Sequence, residues 1–518
     1  MSVPASEDSP PPTPGRRSAD RTDASARTRQ WRGIVGCLLL FAGLSLGHAL
    51  AMPHLYPTDE RAHLAYALSL SRGVLPTVTT PIPLAELETA TFKKNRHKND
   101  IWVANHPPLH YALVAPVVRT FVERGAPKAA GRSARLVSVT AACAGLALVY
   151  LTALRALRRR DLALVTTALT ALVPGFVHVM GSAYNDATSF LTVSAACYVT
   201  TRLVLGGMTW PRALALAATL SLAMLTRFSA LFAVTVALLA LAATPWLDGA
   251  RDRKRWSRAL GASALVLSLV LATSGWFYWR NYRLYGDVTG ARMLFTMFQR
   301  VPRGSALAAL FSEAPLTEVH DQLWEMMARS HHARGGGLVG GLITASGVGL
   351  AAVAAARRLT SILRHSAPRP RRSGLVLAAL AALLFALYAY SIAAFYSRGG
   401  SAYARYLFPA LPVAACVVAV GFDALHTRLA DSRWPAALAV VSLVLVDLAA
   451  QSSLLRQAHK LKSGSFVLAS SLSKAGIAHP ALVAYALYSM VALGLVWLLE
   501  ALLAPAPPAS ETPHSGTT

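Results

Sequence analysis

Two adjacent acids open the most informative stretch of the chain, Tyr56-Pro57-Thr58-Asp59-Glu60-Arg61-Ala62-His63. Thr58 is a good N-cap, and the run from Asp59 to Gly73 predicts one helix, ended by Gly73 and Pro76. At 3.6 residues per turn Asp59, His63 and Tyr66 share a face, while Glu60 turns away by about 100° and aligns with Leu64, Ala67 and Ser71. A carboxylate pair in this setting suits a general base or a metal ligand, with His63 as a partner of Asp59. Acids at a helix N-terminus also complement its dipole and need no chemical role.

A further acid follows in Tyr184-Asn185-Asp186. Asp186 reads either as a plain N-cap or as a second carboxylate at the membrane depth of Asp59. Two acids converging from separate helices can bind a divalent cation or divide general-base and electrostatic work. Arginines recur beside aromatics: Arg227 in Leu225-Thr226-Arg227-Phe228, Arg280 in Trp279-Arg280-Asn281, and Arg405 in Tyr403-Ala404-Arg405-Tyr406. Such pairs are common interface anchors, yet a guanidinium fork also suits a phosphate. Arg405 stands out because it begins an apolar run. In Asn105-His106-Pro107-Pro108-Leu109-His110-Tyr111 the prolines fix an extended entry, and Leu109 to Phe121 is apolar enough to lie in a membrane interface. A stiff connector is the plainer reading. His320, Glu325, His331 and His332 are too irregularly spaced for a zinc site, and Asp447 lies within an apolar run with no identifiable partner.

The elements that must position these residues are membrane helices. The chain has 518 residues, 54% hydrophobic and only 14% charged, with a mean hydropathy of +0.44. That composition excludes an ordinary soluble enzyme. Twelve apolar runs approach the length of a bilayer span: 33–52, 133–154, 162–180, 187–206, 212–226, 228–247, 259–279, 338–356, 374–396, 405–425, 434–455 and 481–503. The prediction is an all-α polytopic membrane protein with a long first outer loop carrying interfacial helices. Residues 1–32 and 504–518 read as disordered tails, 33–425 as the main module with outer loops 53–132 and 280–337, and 426–503 as C-terminal spans.

The net charge of +26 would suggest nucleic acid in a soluble protein, but here it is read by side. Short basic clusters, from Arg155 to Arg160, Arg251 to Arg255, Arg357 to Arg372, and Arg428 with Arg433, all fall on one side. The positive-inside rule makes that side, and both termini, cytoplasmic. The acid and arginine motifs then fall on the outer face. Four cysteines lie in apolar runs, so no disulfide framework or thiol metal site is expected. No Walker or dinucleotide fingerprint occurs, so ATP and nucleotide sugars are not the natural reactants. Arg outnumbers Lys by 42 to 8, which hints at a GC-rich bacterial genome.

Taken in order, the motifs resemble the GT-C superfamily of polyprenyl-phosphate-sugar glycosyltransferases, and more narrowly the bacterial relatives of protein O-mannosyltransferases and aminoarabinose transferases. The resemblance is carried by Pro57-Thr58-Asp59-Glu60 with His63, His106-Pro107-Pro108-Leu109, Arg135, Asn185-Asp186, Leu225-Thr226-Arg227, Arg280-Asn281, and Arg405-Tyr406-Leu407-Phe408-Pro409, over about residues 33–425. Where the family often has Lys after the short fifth span, this chain has Arg227. The resemblance implies sugar transfer from a polyprenyl-phosphate donor to an envelope glycan, lipid or protein, with inversion, on the outer face of a bacterial plasma membrane. It implies Asp59 as general base with Glu60 beside it. His63, His106, Asp186, Arg227, Arg280 and Arg405 become substrate-binding residues, and Asp59 and Asp186 candidate ligands of a divalent cation. Membrane lipids are implied partners and nucleic acid is not. A flippase of lipid-linked sugars, or an envelope polysaccharide polymerase, remains the competing reading.

Overall fold

The computed structural model describes residues 14–56, 59–91, 93, 96–247, 252–324, 334–364, 371–426, 433–462 and 466–504. The chain begins with α1 (Pro14–Ala51), which crosses to the rim where the polar motifs gather. There α2 (Glu60–Ser71) and α3 (Leu109–Glu123) build the first long loop. Then come α4 (Pro127–Leu157), α5 (Arg160–Ala171), α6 (Pro174–Met180), α7 (Asp186–Gly206), α8 (Trp210–Met224), α9 (Leu231–Leu247) and α10 (Arg253–Tyr285). The second long loop holds α11 (Ala291–Met297), α12 (Ala306–Leu310) and α13 (Glu313–Trp324). The remainder is α14 (Arg334–Leu363), α15 (Arg372–Ser397), α16 (Leu411–His426), α17 (Trp434–His459), α18 (Val467–Lys474) and α19 (Pro480–Leu503). Among the described residues there is no strand, only an isolated bridge between Pro81 and Asp100.

Among the described residues ten helices are long and apolar enough to span a bilayer, and α5 with α6, bent by 70°, passes the same test as a pair. The bend has a cause in the sequence: Pro174 opens α6 and cannot continue the hydrogen-bond ladder of α5. The expected twelfth span, 212–226, corresponds to α8, which has only 15 residues. At 1.5 Å per residue that is about 22 Å, short of a hydrocarbon core of about 30 Å. α8 nevertheless carries the chain from the turn at Gly206 and Gly207 back to Arg227 beside Asp186, and a count of ten or eleven by length and composition leaves twelve unconfirmed. No proline interrupts 15–51, and α1 runs unbroken from Pro14. The Thr58 cap, residues 1–13, the C-terminal tail from 505, and Glu325, His331 and His332 lie outside the described residues.

Small residues let the helices approach without a hydrophobic force between them. A Cβ on Gly36 of α1 would lie 2.8 Å from the carbonyl oxygen of Gly494 on α19, and one on Gly494 would lie 2.6 Å from the backbone nitrogen of Leu40. Any larger residue would push the first and last helices apart. The four free cysteines are buried or half-buried and unbridged.

Candidate active site

Asp59 sits immediately before α2, where the chain turns back from the end of α1. Its Oδ2 accepts a hydrogen bond from Arg405 Nη2 at 2.6 Å, although 346 residues separate them. Arg405 is placed by the short 3-10 segment Ala404–Ala410 that leads into α16. The preceding turn needs Gly399 in a left-handed conformation, φ +90°. Its guanidinium rests 5.1 Å from the ring centre of Tyr184, 4.9 Å from Tyr403 and 5.8 Å from Tyr406.

Asp186, the first residue of α7, pairs with Arg227 at the junction of α8 and α9. Asn185 Nδ2 donates to Thr226 O at 3.3 Å, and Leu109 N donates to Leu225 O at 3.0 Å, so the two turns and the start of α3 are stitched together. The Arg227 guanidinium lies 4.9 Å from the centre of the Tyr406 ring. Tyr406 therefore carries both guanidinium groups, and through them the two carboxylates belong to one cluster. Arg405 also lies within electrostatic reach of Asp186. The expected convergence of Asp59, Asp186, Arg227 and Arg405 is what the fold provides. Tyr184, Tyr403 and Tyr406 are its aromatic floor, which the motif reading passed over as interface anchors.

His63 follows Asp59 by one helical turn and is buried. Tyr111 Oη lies 3.1 Å from His63 Nδ1, and the Tyr184 ring is centred 5.1 Å away. Burial first, then unfavourable electrostatic interaction with His110, His106, Arg405 and Arg227, holds the His63 imidazole well below its usual range. Burial, Arg227 and Arg405 do the same for His106. Both histidines thus look onto the arginine cluster as neutral rings. Tyr66 stacks on Tyr111 at 3.8 Å and donates to the His106 carbonyl at 3.1 Å, which fixes α2 against the start of α3. His110 pairs with Thr188 Oγ1 at 2.9 Å, and burial lowers it to about 3.

Two expected members lie elsewhere. Glu60, expected beside Asp59 as catalytic, points the other way, as its 100° offset requires. Arg135 Nε and Nη2 donate to its two oxygens at 2.9 and 2.7 Å, and Ala183 N donates to Oε1 at 2.9 Å. The remaining donors of Arg135 meet the carbonyls of Ala49, Met52 and Pro53. Glu60 is fully enclosed, and both of its oxygens are engaged in this lock, away from the Asp59–Arg405 pair. Arg280, expected to hold phosphate, instead donates to the carbonyls of Leu75 and Pro76 at 3.2 and 2.7 Å and secures the chain leaving α2. Its described hydrogen bonds are with backbone oxygens rather than with either carboxylate, its guanidinium lies 5.8 Å from the Phe277 ring centre, and its Nη1 is buried without an acceptor.

The donor set does not suit a resident divalent cation. Asp59 and Asp186 each already face a guanidinium, and among the described residues no group of three His, Cys, Asp or Glu side chains could hold a metal. No step is therefore derived through a metal. Asp447 is buried in α17, away from the cluster, with neither oxygen hydrogen-bonded.

What the cluster can do is bind an anion beside a carboxylate. Arg405 Nε is buried without an acceptor, and only one of its nitrogens is used on Asp59. A guanidinium carries five donors in a planar fork, so a phosphate can be taken while the Asp59 contact persists.

Residues 105–279 match the family model for dolichyl-phosphate-mannose-protein mannosyltransferases. The match contains His106, Arg135, Asp186 and Arg227, while Asp59, Arg280 and Arg405 lie outside it. No curated protein matches the chain. Among solved structures, ArnT from Cupriavidus metallidurans bound to undecaprenyl phosphate is 16% identical, with 90% of this chain and 77% of that one covered and a TM-score of 0.42. The Archaeoglobus fulgidus oligosaccharyltransferase in complex with Zn and sulfate is 13% identical, covering 80% and 52%, with a TM-score of 0.43. Archaeal AglB from the same organism, with an inhibitory peptide and a dolichol-phosphate, is 13% identical, covering 92% and 56%, at 0.42.

Proposed function

We propose that this chain, a membrane glycosyltransferase of the GT-C type, moves a sugar from a polyprenyl-phosphate donor to an envelope glycan, lipid or protein hydroxyl. Arg405 and Arg227 hold the donor phosphate over Tyr406. Asp59 takes the proton of the acceptor hydroxyl as that oxygen bonds to the anomeric carbon. The bond from that carbon to the phosphate oxygen breaks, and the extra negative charge on the departing lipid phosphate falls on the two guanidinium groups. Attack from the face opposite the phosphate inverts the anomeric centre. His63 and His106, neutral at ordinary pH, line the site without adding charge, and Asp186 orients Arg227.

The observation that supports this reading is the shared Tyr406 ring, which draws two guanidinium groups and their carboxylates to one rim. A bilayer-resident donor needs its phosphate met at that depth, and its lipid chain can stay in the hydrocarbon. The rim is read as the outer face of a bacterial plasma membrane, with both termini cytoplasmic, because the short basic clusters lie at the other end of the helices.

The test uses purified protein in lipid vesicles with radiolabelled polyprenyl-phosphate sugar and an envelope fraction as acceptor. Label moving covalently to acceptor, and not in Asp59→Asn, supports the enzyme. Label crossing the bilayer while still attached to its lipid favours a flippase and overturns the proposal.

A further inference from the structure

At the opposite end of the bundle from Asp59, two guanidinium groups share one ring. Arg155, near the end of α4, lies 5.0 Å from the centre of Tyr198, and Arg202, one turn beyond Tyr198 on α7, lies 5.9 Å from it. Both arginines are exposed and the tyrosine is half-buried.

Several neighbouring cations at this end have oxygen partners. Arg159 pairs with Asp161 and Asp423, Arg433 lies 3.8 Å from Asp161, and Arg32 lies 3.5 Å from Glu500. Arg212 donates to the carbonyls of Gly206 and Gly207. Among the described residues no carboxylate meets Arg155 or Arg202. Like charges gathered on one ring repel, and more strongly at a lipid boundary, where the dielectric constant falls.

We propose that an anionic phospholipid headgroup docks between Arg155 and Arg202, its phosphate taking one guanidinium on each side with Tyr198 beneath. The depth suits this occupant. Arg202 follows Asp186 by 16 residues, about 24 Å along a helix at 1.5 Å per residue. That approaches the hydrocarbon thickness of about 30 Å, and the long arginine side chains carry the charges on to the far interface. Leu151, one turn before Arg155 on α4, is exposed and offers apolar surface to an acyl chain. Long basic side chains at such a level extend toward headgroups while their stems stay in apolar surroundings. The site is separate from the Asp59 cluster and does not depend on the transfer reaction.

The experiment is native mass spectrometry of the full chain, titrated in detergent with phosphatidylglycerol or phosphatidylcholine. Wild type is expected to keep one phosphatidylglycerol in preference to phosphatidylcholine. Losing both arginines (Arg155→Ala with Arg202→Ala) is expected to weaken that binding roughly thirty-fold, from the usual contribution of each basic residue near an anionic surface. Removing two exposed cations of the same end (Arg253→Ala with Lys254→Ala) is expected to leave it unchanged. Equal weakening in both double variants, no weakening in the first, or equal retention of phosphatidylcholine by wild type would each overturn the site. Should the alanine pair fail to fold, Arg155→Lys with Arg202→Lys keeps charge without the planar fork. It is expected to bind at an intermediate strength, and wild-type strength would contradict the geometry.

Discussion

Glu60 and Arg135 form a fully buried bidentate ion pair, at 2.9 and 2.7 Å, one residue along the chain from Asp59. The pair also gathers the carbonyls at the end of α1 and the backbone of Ala183, three residues before Asp186. It therefore sets where both acids of the candidate site begin. Breaking a buried pair leaves an uncompensated charge, so Glu60→Ala or Arg135→Ala is expected to lose roughly 3–5 kcal/mol of stability. Thermal unfolding of the purified variants in detergent checks this, and a midpoint within a degree of wild type would mean the pair holds nothing in place.

Arg227→Lys tests the fork rather than the charge. Lysine keeps the positive end near Asp186 but cannot offer two parallel donors to a phosphate. The donor KM is expected to rise about ten-fold with kcat changed less, since a contact present before and during transfer is weakened. Steady-state kinetics with varied donor read this directly.

Tyr406 contributes through its ring face, against which both guanidinium groups lie. Tyr406→Phe is expected to bind polyprenyl phosphate like wild type. Tyr406→Leu is expected to bind it several-fold more weakly, in keeping with about 0.5–1 kcal/mol or more for a cation over an aromatic face. Equilibrium binding of the lipid phosphate to the three proteins distinguishes them.

The histidines give a pH dependence. Burial keeps His63 well below its ordinary range and His110 down to about 3, whereas in the unfolded chain both titrate near 6.5. Above that value neither state binds the proton, and stability is unaffected by these groups. Below it the unfolded chain takes up protons that the native fold refuses. Stability is then lost as pH falls, by up to roughly 3 kcal/mol per unit for the two together between about pH 6 and 4. Chemical denaturation at pH 7, 6 and 5 measures the slope, and the double variant His63→Gln with His110→Gln should lessen it, with His106 still contributing.

The all-helical membrane class was legible because only a helix satisfies its own backbone polar groups across a long apolar run in hydrocarbon. The 100° offset between Asp59 and Glu60 was legible too, and it is what separates a site residue from a lock residue. The partners were not legible. Nothing local to Asp59 indicates Arg405, 346 positions away, and nothing in Arg280 reveals that backbone carbonyls behind α2 claim it. Tyr406 looked like an interface anchor because aromatic-arginine neighbours usually are. The twelfth span stays unconfirmed at α8, whose 15 residues form a short apolar run leading into Arg227.

The central claim is that Asp59 removes the acceptor proton beside a phosphate held by Arg405. Single-turnover transfer by Asp59→Asn, measured at donor concentrations shown to saturate the variant, tests it most directly. The expected rate is lower by roughly 100-fold or more, with polyprenyl phosphate binding retained. A variant that turns over within a few-fold of wild type would contradict it.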